Sequence, residues 1–288
     1  MKENPMYDER SPNRNGQLKK PSLVIHIWTL VALWTLGVST SLCFNIFHTY
    51  NHTEKSALIQ ARTAFEKDVV YRRWNSGLGG LYVKVTPKVL PNPHLQANHD
   101  RDIPGPNNTP LTLVNPAYMT RLVHELGELA SGVRGHITSI CPIRPENAPD
   151  PWEQKALARL EQSSSDELFE IQAIEGKYYL RLMGVLRTER SCLACHGAQG
   201  YTIGQIRGGI SVSVPMEPVM AGARTTVAIL GVSHGILWLA GALVIILGGK
   251  RLVRYMHERD EAVRQLQSCT GIPSEPEQVE GRDDADGE

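Results

Sequence analysis

Net charge is the first thing this chain lacks: across 288 residues, 30 Lys and Arg balance 30 Asp and Glu. With no basic excess to displace counterions from phosphates, nucleic-acid binding by bulk charge is excluded. Cysteine is scarce, with five residues, too few for a disulfide-stapled mini-domain of this length. The chain has neither the composition of a disordered polymer nor that of a many-helix transporter, since 41% of it is hydrophobic and its mean hydropathy is −0.24. Gly-x-Ser-x-Gly, Walker, His-Glu-x-x-His and kinase signatures are also missing, so no enzymatic activity is expected. No internal repeat is evident.

Charge is absent locally as well. None occurs between Lys20 and Glu54 or between Arg224 and Lys250. A bilayer core needs about 20 helical residues, so residues 22–47 and 225–249 are expected to be transmembrane helices in contact with the lipid bilayer. The first run is longer than the apolar stretch of a secretory signal, about 7–15 residues. Leu42 before Cys43 lacks the small side chain that lipoprotein cleavage needs, so the expected element is an uncleaved anchor. Arg14, Lys19 and Lys20 flank one span and Lys250, Arg251 and Arg254 the other, which places both ends on the cytoplasmic side.

The expected order is therefore a cytoplasmic segment 1–21, span 22–47, an exported domain 48–224, span 225–249, and a cytoplasmic helix with a disordered acidic tail over 250–288. The location implied is the bacterial inner membrane, two-pass, with the main domain in the periplasm. His234 lies deep in the second span, where it reads either as functional or as a neutral imidazole bonded to a neighbouring helix.

Within the exported part, Leu58, Ala61, Phe65 and Val69 share a helical stripe, so a helix should continue outward over 55–75. Strands are expected at 79–85, 111–114, 134–141, 167–174, 177–186 and 208–215, helices at 115–130 and from Asp150 onward. Asp150-Pro151-Trp152-Glu153 has the residues of a capping box. Residues 86–110 carry six prolines and no periodicity, and read as an ordered loop or lid. Mostly antiparallel strands with packed helices make an α+β domain.

Cys192, Cys195 and His196 form a Cys-x-x-Cys-His motif. On a short helical turn, two such thiols can each add to a porphyrin vinyl group while the adjacent imidazole ligates iron, the pattern of one covalently bound haem c. A structural zinc site would usually need a second ligand pair, and Cys141 is the only further exported cysteine. A thioredoxin-like reading would want a parallel sheet, for which no pattern exists.

The stretches YRRWNSGLGGLYV, LTLVNPAYMTRLVHEL, GVRGHITSICPIRPENAPDPWE, YYLRLMGVL and CLACHGAQGYTIGQIRGGISVSVP resemble the haem c-binding, PAS-like sensor domain of bacterial membrane proteins, long catalogued as a domain of unknown function. The resemblance implies a five-stranded antiparallel sheet with a long N-terminal helix, flanked here by the two transmembrane helices. It also implies His196 as proximal ligand and Cys192 and Cys195 as thioether anchors. In at least one such domain a thiolate on the N-terminal helix is the distal ligand, but residues 55–82 here contain no Cys, His or Met.

Met119, His94 and His99 are therefore the distal candidates. Met119 sits in an apolar stripe with Leu122, Val123, Leu126 and Ala130, expected to face the core, while His124 should fall on the solvated face. His136 and Cys141 would point to opposite faces of one strand. Arg72, Arg73 and Arg134 are candidates for the haem carboxylates. The implied role is a sensor of redox state or a diatomic gas, signalling through a cytoplasmic or membrane partner; the alternative is a membrane-anchored monohaem cytochrome serving a redox partner. A homodimer fits the paired membrane helices, though no sustained heptad supports it.

Overall fold

The computed structural model describes residues 23–96 and 98–270. The expected cytoplasmic segment 1–21 and the acidic tail from Gly271 lie outside the described residues. By internal contacts the chain forms two units, one of residues up to Phe44 together with those from Leu230 on, the other Asn45–Ile229.

In the first unit, the opening stretch of α1 (Leu23–Gly77) lies beside the greater part of α5 (Met216–Thr270). Both helices are long and apolar enough to cross a membrane, by length and composition, and so are compatible with a two-pass membrane protein. Apolar side chains alone hold neighbouring helices weakly in lipid, where packing and interhelical hydrogen bonds do more. Here Trp34 Nε1 donates to the Trp238 carbonyl at 3.2 Å, and Trp238 Nε1 donates to Thr35 Oγ1 at 2.9 Å. His234 Nδ1 lies 2.9 Å from the Leu230 carbonyl, so that nitrogen carries the proton; Nε2 faces Ser41 Oγ at 3.2 Å. Of the two sequence readings of His234, bonding to a neighbouring helix is the one described by this geometry.

In the second unit, seven strands among the described residues form two antiparallel sheets. The larger has the order β4 (Arg134–Thr138), β7 (Ile206–Pro215), β6 (Lys177–Arg187), β5 (Glu167–Ile174). Glu175 and Gly176 join β5 to β6 with φ of 51° and 78°, the positive values that a two-residue hairpin turn matched to strand twist requires. Alternation then sends successive side chains to opposite faces. Leu180, Leu182, Ile210, Val212 and Val214 meet Ala57, Leu58 and Ala61 of α1, with Phe65 packed against them. Phe65 rests directly on Gly184, where any larger residue would displace the ring. Met183 and Val185 form a second core with Trp152, Ala156, Leu157 and Leu160 of α3 (Pro151–Glu161). The Asp150–Glu153 capping box is fully formed.

The expected single five-stranded sheet is corrected to sheets of four and three strands. The smaller has the order β1 (Leu81–Lys84), β3 (Pro110–Val114), β2 (Asp102–Pro104). The proline-rich stretch that reads as a loop thus supplies a strand. Three residues with a proline at one end carry too little alternation to be recognised, yet Asp102, Ile103 and Pro104 align with Thr112, Leu111 and Pro110. These short strands satisfy one another locally, so the larger sheet ends at β4 and β5.

A second correction concerns α2 (Pro116–Ser131), capped as its sequence implies by Asn115 Oδ1 accepting from the Tyr118 amide at 2.9 Å. Its apolar stripe faces outward: Leu126 is 66% and Leu129 88% exposed, and Val123 is exposed too. Pro116, Thr120 and His124, four residues apart on one side of the helix, face inward instead. Arg72 Nη1 reaches the Pro116 carbonyl and Thr120 Oγ1, and His124 Nε2 lies 2.6 Å from Asp68 Oδ2. Polar ties to α1, together with the buried Tyr118, orient this helix.

Candidate functional site

At the edge strand β4 a cavity of about 740 Å³ opens among α2, residues 92–95 with Asn98, residues 139–147 and the end of β6. That size lies in the usual range for cofactor and small-molecule sites. A smaller cavity of about 150 Å³ adjoins it along α1 and is lined by Arg72, Arg73 and Cys192. Asn115, Ala117, Leu186, His196 and Arg207 line both.

Of the Cys-x-x-Cys-His motif, His196 lies on this shared wall and Cys192 lines the smaller cavity. Cys192 ends a short 3-10 turn, and Cys195 and His196 belong to α4 (Leu193–His196). Arg73 holds the start of the segment through Glu189 at 2.8 Å. Both ring nitrogens of His196 are engaged. Nδ1 lies 2.5 Å from Gln199 Oε1, and Gln199 Nε2 in turn donates to the Cys141 carbonyl at 3.2 Å. Arg207 Nη1 lies 2.8 Å from Nε2. Since Gln199 Oε1 and a guanidinium fix a donor at Nδ1 and a lone pair at Nε2, the imidazole has its Lewis-basic nitrogen at Nε2, met here by Arg207, which a metal would have to displace. Holding the second nitrogen by an outer partner is the arrangement that orients metal-ligating histidines. Burial first, and then the charges of Arg207 and Arg72, keep the His196 pKa below its ordinary value, which favours the neutral, ligating form.

The surroundings are cationic. Arg72 is held by two uncharged oxygens; burial, with the nearby Arg207 charge adding to it, lowers its pKa to about 10, so it stays charged at neutral pH. Two arginines beside a neutral histidine in a walled cavity suit a flat ligand with carboxylates, because guanidinium binds carboxylate with paired hydrogen bonds. Thr138, 1% exposed and lining the larger cavity, has a hydroxyl with no partner among the described residues. The residues present therefore fit an iron porphyrin.

Of the other residues singled out by sequence, His94 lines the larger cavity. His99 is exposed and lines neither. Met119 lines neither cavity either, because the stripe it belongs to faces away. Arg134 is bound to Glu128 at 2.9 Å and Glu175 at 3.2 Å, with Tyr179 beneath its guanidinium, outside both cavities. Arg72 and Arg73 line the smaller one.

Several placements run against the sequence reading. His124 lines the cavity, its ring laid flat on Gly135, where a Cβ would lie 2.5 Å from three ring atoms. Cys141 falls beyond the end of β4, so it is exposed yet lines the same cavity as His136. Arg207 and Gln199 were not singled out at all; an amide three residues after the histidine is the one local signal that was available for Gln199.

His136 leads away from the cavity. Its Nδ1 lies 2.9 Å from Oε2 of Glu153, a carboxylate only 1% exposed, and its Nε2 lies 3.1 Å from the Glu146 carbonyl. Glu153 also accepts from Arg181 at 3.3 Å and from Ser211 Oγ. The hydrogen bond and charge of Glu153 raise the His136 pKa above its ordinary value.

Comparison with curated proteins returned no match. Among solved structures, the crystal structure of the cyanobacterial heme-protein Tll0287 aligns with 56% of this chain and 95% of its own, at 13% identity and a TM-score of 0.37. A family model described as Tll0287-like matches residues 50–215, more than half the chain and all of the site described above. The chain therefore belongs to the Tll0287-like family.

Proposed function

We propose that the protein binds one haem c covalently through Cys192 and Cys195, with His196 as its iron ligand, in a membrane-anchored periplasmic domain that senses redox state or a diatomic gas. The observation that carries this reading is His196 itself: the last residue of Cys-x-x-Cys-His, on the wall between two cavities, with Nδ1 held by Gln199 and the lone pair at Nε2 met by Arg207, the contact that iron would replace. Membership of the Tll0287-like family supports it.

The chain's own residues would divide the work. Gln199 orients the imidazole, and Arg72 and Arg207 meet the porphyrin carboxylates. The α2 helix and residues 92–95 restrict water. Bound haem would supply an iron centre that changes oxidation state or takes a gaseous ligand. Signalling requires two iron states that differ in their contacts with protein. The segment Cys192–His196 is well placed to respond, since β7 follows it and runs directly into α5.

Produced in a host with cytochrome maturation, the protein should keep a haem stain through denaturing electrophoresis, and Cys192→Ala with Cys195→Ala should lose it. Equal staining of the double variant would overturn covalent attachment. Spectra of the reduced protein with and without CO then separate the sensor from an electron carrier. Ready CO binding supports sensing, whereas an iron that resists CO supports the membrane-anchored cytochrome.

A further inference from the structure

A third cavity, of about 440 Å³, lies on the far side of the large sheet from α1, between α3 and the edge strand β5. Trp152, Ala156 and Leu168 give it an apolar floor. Its acids are engaged: Asp150 accepts from Arg181 at 2.7 Å and from the amides that begin α3, and Glu170 accepts from Trp152 Nε1 at 2.9 Å. Its cations are not all engaged. Lys155 and Arg159, one helical turn apart and exposed on α3, form no ion pair among the described residues. Arg181, 6% exposed and stacked 4.3 Å over Trp152, has a buried Nε with no hydrogen-bond partner.

An apolar floor beneath unpaired cations matches a ligand with an apolar body and one anionic end. We infer that this cavity is a second ligand site, separate from the Cys-x-x-Cys-His site, and that it takes a small organic carboxylate. Lys155 and Arg159 meet the carboxylate while its body rests on Trp152, Ala156 and Leu168. Occupancy would be felt at the first site, because Arg181 and Asp150 of this cavity join Glu153, and Glu153 joins His136 of the larger cavity.

The test is calorimetric titration of the full-length protein in detergent with sodium benzoate, inorganic phosphate and, as the uncharged counterpart, benzyl alcohol. Benzoate should saturate one site, with benzyl alcohol weaker by about tenfold, the loss expected for one or two partly exposed charge contacts. Lys155→Glu with Arg159→Glu, both at exposed positions, should weaken benzoate by at least about tenfold with an unchanged melting temperature. Benzoate that does not saturate, benzyl alcohol that binds as tightly, or a double variant that keeps its affinity would overturn the assignment. Phosphate that binds as tightly as benzoate would overturn the organic part of it. Heat of binding needs no haem, so failure here leaves the haem reading standing, and loss of haem leaves this test intact.

Discussion

At the scale of single residues, Glu153 decides more than its surface suggests. A buried carboxylate is tolerated only when its lone pairs are met, and here a guanidinium, a hydroxyl, an imidazole and the Asp150 amide converge on it. Because the His136 pKa is raised in the fold, its pairing stabilises the protein fully below the unfolded histidine value and loses that contribution as pH climbs through the raised value. The stability advantage of the wild type over His136→Gln should therefore shrink as pH rises from the unfolded histidine value, about 6.5, through the raised folded one. Thermal melts across that range check it, and a pH-independent gap refutes it.

Gln199 is the second such residue. Replacing it by Leu removes the acceptor at His196 Nδ1, making the ring a poorer electron donor to iron. The midpoint potential should rise, and the ferric form, which depends most on ligand basicity, should be disfavoured. Redox titration beside the wild type measures it; an unmoved potential would show that the amide does not orient the ligand.

At the scale of elements, local chemistry was legible and long-range partnership was not. Asp150 and Asn115 announce their helices because a cap needs only residues two or three positions away, and Glu175-Gly176 announces its hairpin for the same reason. The outward stripe of α2 could not be read, since its apolar periodicity is real and only contacts with Asp68 and Arg72, about fifty residues earlier, show which side turns inward. Strand β2 escaped for a similar reason: its pairing is with β3, and three residues carry no period. Within the site, Cys192, Cys195 and His196 declare themselves through spacing, whereas Arg207 depends on where β7 begins and Thr138 on where β4 ends.

Two substitutions test these elements. Leu157→Ala on α3 empties a fully buried position and should cost about 2–5 kcal/mol in denaturant unfolding. Gly135→Val should push His124 off β4 and break its contact with Asp68, lowering haem retention more than it lowers the melting temperature. If retention and melting fall together, the His124–Gly135 packing serves the fold alone.

At the scale of the whole molecule, the two uncharged runs and their basic flanks carry the proposed topology, because no protein contact is needed to make charge costly in lipid. Cys141 and Cys269, both exposed, lie on opposite sides of the membrane in the proposed arrangement. A membrane-impermeant thiol reagent should label Cys141 once the outer envelope is opened, and Cys269 only after the inner membrane is permeabilised. Labelling of Cys269 before that would reverse the orientation.

The two indoles that link α1 to α5 bear on how such helices can move. Each tryptophan donates into the opposite helix, Trp34 to the Trp238 carbonyl and Trp238 to Thr35. Sliding one helix along the other by a full turn, about 5.4 Å, would unlatch both at once, and in the proposed membrane arrangement no water would be at hand to take their place. Small rotations about the shared axis strain the links without severing them, so this pair acts as a detent that permits twist and resists axial travel.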